Sequence, residues 1–137
     1  MPDTNAGTPR RTILLIDDDD LVAGSLRDYL VSKGWAVDVA LEPAAATVYL
    51  RGRQYGVVLV DPYMTGGVHT PGASLIGDIR VSQPQSSIIV LTGYGTADLV
   101  RSASADPSTL LLSKPQSVTE LSDLIHRIPS TSPERSL

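Results

Sequence analysis

Five short apolar runs punctuate the chain, and four of them end in a side chain with chemistry to offer. Thr12–Ile16 passes without interruption into Asp17, Asp18, Asp19 and Asp20. A run of leucine and β-branched residues unbroken by polar ones predicts a strand covered on both faces. Val57–Val60 reads the same way and meets Asp61. So do residues 88–91, which lead to Thr92 and Gly93, and residues 110–112, which lead to Ser113, Lys114 and Pro115. Residues 35–40 alternate instead, with Val37 and Val39 in phase, and predict a further strand, second in chain order.

Helical spacing fills the intervals. Residues 20–33 set Val22, Leu26, Tyr29 and Leu30 on one face, with Gly34 as a stop. Pro43 suits the first turn of a helix that carries residues 44–50 and frays near Gly52. Leu75, Ile76 and Ile79 mark a third helix, and Pro84 breaks the chain after it. A short helix covers residues 97–105, bounded by Pro107, and a last one covers residues 118–128, with Leu121, Leu124, Ile125 and Ile128 on one face.

Strand followed by helix, five times over, predicts an α/β fold: a doubly wound, five-stranded parallel sheet with helices on both faces. The domain is expected to span residues 11–128. Residues 1–10 read as a flexible polar lead and residues 129–137 as a disordered Ser/Pro tail. Ligands in such sheets gather beyond the C-terminal ends of the strands. Asp17, Asp18, Asp61, Thr92 and Lys114 would therefore converge, while the second strand, which ends in nothing comparable, belongs at an edge away from the site.

Composition narrows the classes. A length of 137 residues suits one core, and 42% hydrophobic with 19% charged residues is ordinary for a globular chain. The net charge of −4 argues against non-specific nucleic-acid binding. The chain has no cysteine, which excludes disulfides, thiol nucleophiles and zinc–thiolate sites. No apolar run is long enough to span a membrane, and the N-terminal residues lack the apolar centre of a signal peptide, so the cytoplasm is the expected location. Lysine occurs only as Lys33 and Lys114, which makes a lysine at a strand end notable.

Clustered carboxylates repel, and a hard divalent cation with oxygen ligands offsets them most simply. Two acids can hold Mg²⁺ without enclosing it, and a third can act as a nucleophile towards phosphorus. A lysine supplies a point charge to a phosphoryl oxygen and a threonine one hydrogen bond. Phosphoryl transfer asks mainly for positioning and charge neutralisation.

Residues 13–18, Val57–Val60 with Asp61, Leu91-Thr92-Gly93 and Ser113-Lys114-Pro115 together resemble the receiver domain of two-component response regulators. The resemblance implies a flavodoxin-like sheet in strand order 2-1-3-4-5. It implies Asp61 as phosphoacceptor and as part of the metal set, Asp18 as a direct Mg²⁺ ligand, Asp17 as a support through water, and the backbone carbonyl of Tyr63 as a further ligand. Lys114 would pair with the acceptor and Thr92 would bond the phosphoryl oxygen, with Lys114-Pro115 as a cis peptide. The implied donor is a histidine kinase or a histidine phosphotransfer protein, and the implied output is a changed binding face rather than enzymatic turnover. A downstream protein would read that face; neither nucleic acid nor membrane is implied as a direct partner.

Departures from the family pattern bear on function. Leu111 stands where the family has an aromatic switch residue three positions before the lysine. Met64-Thr65-Gly66 replaces Met-Pro-Gly, with extra residues in the loop at 65–72. Tyr63 and Tyr94, two positions beyond Asp61 and Thr92, sit where family side chains tune water access, which predicts slow autodephosphorylation.

Other features have plainer readings. Asp19 and Asp20 suit the start of the first helix, where negative charge is favoured. His69 and His126 lack metal-like companions and read as surface residues, and Trp35 reads as packing. The glycines of residues 65–72 lack the Gly-Lys-Ser/Thr that a phosphate-binding P-loop requires. Two other functions fit part of the pattern. One is a receiver-like binding module never phosphorylated. The other is a haloacid-dehalogenase-type phosphohydrolase, for which Leu21 and the missing acidic pair after Lys114 are wrong.

Overall fold

A computed structural model describes residues 11–61, 72–93, 97–113 and 116–128. Among the described residues ten elements alternate: β1 (Thr12–Ile16), α1 (Asp20–Ser32), β2 (Ala36–Ala40), α2 (Pro43–Gly52), β3 (Val57–Val60), α3 (Gly72–Ser82), β4 (Ser87–Thr92), α4 (Ala97–Ser104), β5 (Thr109–Ser113) and α5 (Val118–Arg127). The strands form one parallel sheet in the order β2-β1-β3-β4-β5. The second strand lies at an edge, as its plain ending suggested. Among the described residues no helix is long and apolar enough to cross a membrane.

Alternation along the central strands divides their side chains between two cores. Leu14, Ile16, Val58, Val60, Ile88 and Val90 pack on one face with Ala46 and Leu50 of α2 and Ile76 and Ile79 of α3. Ile13, Leu15, Val57, Leu59, Ile89 and Leu91 pack on the other with Leu26 and Leu30 of α1 and Leu121 and Ile125 of α5. An unbroken apolar strand is thus what a sheet covered twice requires.

Several details differ from the sequence reading. The buried stripe of α1 is Ala23, Leu26 and Leu30, whereas Val22 points outwards. The small Ala23 lets the helix approach the sheet, so the apolar face is rotated from the one the larger residues suggested. Tyr29 is half-buried with the Lys33 ammonium 5.4 Å from its ring centre. Trp35 stands just outside β2 because it completes the stop of α1. Its N–H donates to the Leu30 carbonyl (3.1 Å), and the Gly34 N–H donates to Val31 (3.0 Å). Gly34 supplies the φ of +95° that this Schellman closure requires. Trp35 itself is buried against α1 and α5, in keeping with a packing role. The lead at 1–10, the loop at 65–71 with His69, and the tail at 129–137 lie outside the described residues.

At the N-terminal ends of the strands a polar knot replaces apolar packing. Gln83 is fully buried. Its amide nitrogen donates to the carbonyls of Leu50 (2.9 Å) and Arg53 (2.8 Å), and its oxygen accepts from the Tyr55 N–H (3.0 Å) and Ser86 Oγ (3.0 Å). Beside it the Arg80 guanidinium donates to Asp106 (2.8 Å) and to the carbonyls of Gln83 and Ser86 (3.0 and 2.7 Å). The Tyr55 hydroxyl donates to Asp38 (2.7 Å), and burial together with that carboxylate pushes its ionisation well above the ordinary tyrosine range.

Burial works against the charge of Asp106, yet the Ser108 N–H, the Thr109 hydroxyl and Arg80 outweigh it and hold the carboxyl below its ordinary 3.8. A carboxyl lowered in this way adds stability above its unfolded range, and that stability disappears as pH falls through the folded value. Asp106→Ala should therefore cost about 2 kcal/mol in urea unfolding near neutral pH. The gap between wild type and variant should close on acidification below about pH 4. A gap that stays constant across that range would contradict this account.

Candidate functional site

The parallel register carries the acids to one place. Beyond the last paired residues of β1 and β3, the Asp61 N–H donates to the Ile16 carbonyl at 2.8 Å, and the Asp17 N–H donates to the Ala40 carbonyl of β2 at 3.1 Å. Each aspartate thus sits one step past an apolar strand, where the chain leaves the core but the backbone is still held by its neighbour. Asp17 is 2% exposed and Asp61 9%, whereas Asp18 is more open. One carboxylate oxygen from each of Asp17, Asp18 and Asp61 lies within 4.8 Å of the other two.

The start of α1 helps to shape this cluster. Asp19 caps the helix, accepting from the Leu21 and Val22 N–H groups at 3.1 and 3.2 Å. Asp20 begins the first turn, where the helix N-terminus favours its charge. The Asp19 N–H donates back to Asp17 Oδ1 at 3.0 Å. The sequence reading treated Asp19 as a cap alone and missed this second task. The signal was present, because an aspartate commonly accepts from the N–H two residues on.

At this separation two negative charges repel by roughly 3 kcal/mol at an effective dielectric near 20. The donor set answers this cost. Three carboxylates that can each give one oxygen to a common centre, two of them shielded from bulk water, suit a hard cation such as Mg²⁺ and offer nothing to a soft one.

Thr92 is the last residue of β4 and is buried. Its register partner is Ser113, the residue before Lys114. Leu111 pairs with Val90, is half-buried, and packs against the core that α2 and α3 cover. Lys114 and its bond to Pro115, Tyr63 and Tyr94 lie outside the described residues. The start of α5 is firmly set: Ser117 accepts from the Glu120 N–H at 3.1 Å, and Glu120 accepts from the Ser117 N–H at 3.2 Å, a reciprocal capping box.

This arrangement recurs in known proteins. A family model described as "Response regulator receiver domain" matches residues 13–126. The photosynthetic apparatus regulatory protein RegA of Rhodobacter capsulatus is 25% identical over 115 residues, covering 84% of this chain and 61% of RegA. The chain thus spans about three fifths of that relative. A solved response regulator from Burkholderia pseudomallei, with a phosphorylated aspartic acid, a calcium ion and citrate, is 29% identical with a TM-score of 0.72, covering 92% of this chain and 71% of the other. A CheY-like receiver domain from Methanospirillum hungatei shares the fold at 20% identity, with a TM-score of 0.75 over 85% of this chain and 90% of the other. The family match spans both cores and the acids between them, and with it the chain belongs to the response regulator receiver domains, the signalling modules of two-component systems.

Proposed function

We propose that Asp61 accepts a phosphoryl group from a histidine kinase or a histidine phosphotransfer protein, and that the change is read by a downstream protein. The observation that carries this reading is the meeting of Asp17, Asp18 and Asp61 within reach of one cation at the C-terminal ends of a receiver sheet. The phosphorylated aspartic acid and calcium ion of the Burkholderia pseudomallei relative support it by likeness.

In the proposed transfer, an Asp61 carboxylate oxygen forms a bond to phosphorus. The phosphorus–nitrogen bond of the donor phosphohistidine breaks, and its electron pair returns to the imidazole. Asp17 and Asp18, with the Tyr63 carbonyl, would hold Mg²⁺. When bound, that ion neutralises charge on the transferring oxygens and on the acids themselves. The hydrogen bond from the Asp19 N–H keeps Asp17 oriented without adding charge. The Thr92 hydroxyl would donate to one phosphoryl oxygen, and the Lys114 ammonium would pair with another. The group adds about −1.5 to −2 of charge if phosphate monoesters are a guide. Its pull on Thr92 would be passed to β5 through the Thr92–Ser113 pairing. Leu111, lacking a ring, would follow by filling space. The module turns over no substrate beyond its own phosphoryl group, and we place it in the cytoplasm with its donor.

Incubation with Mg²⁺ and acetyl phosphate should add the mass of one phosphoryl group to the intact chain, and Asp61→Asn should abolish the gain. No gain in the wild type would favour a binding module that is never phosphorylated, and turnover of small phosphate esters would favour a hydrolase.

Mg²⁺ at about a hundred times its dissociation constant should raise the unfolding free energy by about 2.7 kcal/mol. Asp18→Asn should lose most of this gain, yet in a chelator it should be at least as stable as wild type, because one like charge has gone. Equal Mg²⁺ stabilisation in both proteins would remove Asp18 from the ligand set.

Replacing Tyr63 and Tyr94 with alanine should shorten the lifetime of the phosphorylated form several-fold, followed by loss of the added mass after removal of acetyl phosphate. An unchanged lifetime would show that neither ring limits the approach of water.

A further inference from the structure

We propose that Trp35 and His126 form a proton-sensitive latch that fastens the last turn of α5 to the corner between α1 and β2. The Trp35 indole N–H donates to His126 Nε2 at 2.9 Å, and the two rings meet edge to face with centroids 5.6 Å apart. An indole nitrogen can only donate, so Nε2 must carry a lone pair. The imidazole proton therefore resides on Nδ1, which lies 2.6 Å from the Ser122 carbonyl and donates to it, with Ser122 Oγ at 3.3 Å. Both ring nitrogens are thus committed in the neutral form.

Protonation of Nε2 turns the acceptor into a donor facing a donor. The hydrogen bond and the imidazolium exclude each other. Histidine is exposed here while its partner is not: His126 meets solvent, whereas Trp35 is buried against Leu26, Leu30, Leu121 and Ile125. A proton can reach the latch without unfolding of the core, but the indole cannot turn to a new partner without leaving it.

The charged groups around the latch do not supply an alternative. The Arg11 guanidinium carbon lies 5.8 Å from the Trp35 ring centre, so an imidazolium would bring a second cation to the same indole. On α1, Arg27 and Asp28 pair with each other at 3.1 Å, and Lys33 lies over Tyr29. On β2, Asp38 is held by Arg53 and Tyr55. On α5 itself Asp123 and Arg127 flank the histidine, and no ion pair among the described residues involves it.

Trp35 is held by the Schellman closure of α1 and by the sheet-facing core, so the weaker side of the latch is the end of α5, where Ile128 caps the helix. Opening would release that turn while the acids at the far ends of the strands keep their backbone bonds. The latch stands independently of phosphoryl transfer at Asp61.

The chain has one tryptophan, so its fluorescence and its indole N–H resonance report the latch alone. On acidification the Trp35 emission should change in a single transition, and hydrogen exchange at its indole should become about tenfold faster than the intrinsic pH dependence allows. His126→Gln offers both an acceptor and a donor without titrating, and should stay latched throughout. His126→Phe should match the open form at every pH. A flat emission profile in the wild type, or the same transition in His126→Gln, would overturn the proposal. Far-ultraviolet circular dichroism unchanged across the transition separates latch opening from unfolding, and loss of helix coincident with the emission change would also overturn it.

Discussion

One backbone hydrogen bond, from the Asp61 N–H to the Ile16 carbonyl, sets the terms for the site. It extends the β1–β3 pairing one residue past the strands and forces two buried aspartates to share a small volume. Everything nearby accommodates that consequence. The capping of α1 by Asp19 directs a backbone donor at Asp17, and the third acid is left where water can reach it. Sheet geometry creates the charge problem, and the cation expected there would be its solution rather than its cause.

The two ends of the sheet are built on opposite principles. At the C-terminal ends like charges are crowded. At the N-terminal ends opposite partners are paired instead: Gln83 links the end of α2, the start of β3 and Ser86, and Arg80 joins α3 to the turn before β5 through Asp106, with only its second terminal nitrogen left buried without a partner among the described residues. A half-satisfied buried network costs more than apolar packing, whereas a filled one fixes geometry. These bonds tie α2, α3 and the starts of β3 and β4 together at the end of the sheet away from Asp17, Asp61 and Thr92. The Trp35–His126 contact adds a polar attachment between α5 and the α1–β2 corner at the rim of the core that α1 and α5 cover.

The order of strands and helices, the double-faced burial of β1, β3 and β4, and the gathering of acids at strand ends were all legible along the chain. Unbroken apolar runs permit no other placement in a parallel sheet, and each ends at the residue that matters. The rotated face of α1 was not legible, because Ala23 carries little weight in a pattern dominated by Val22 and Tyr29. The roles of Asp38, Arg80, Gln83 and Asp106 were not legible either. Their long-range partners lie 15 to 33 residues away along the chain, too far for any local spacing to relate them.

Hydrophobic periodicity was enough to determine the fold class, because burial on one or two faces is written in local order, and the plain ending of the second strand was enough to put it at an edge. Residue type and position at strand ends were enough to nominate Asp17, Asp18, Asp61 and Thr92. Only the tertiary structure decided that the three acids meet within one ion's reach, that Asp19 orients as well as caps, and that the exposed His126 ring is also an acceptor for a buried indole. Hydrogen bonds and charge proximities depend on distances across the sheet and between helices, and those exist only once the layers have packed.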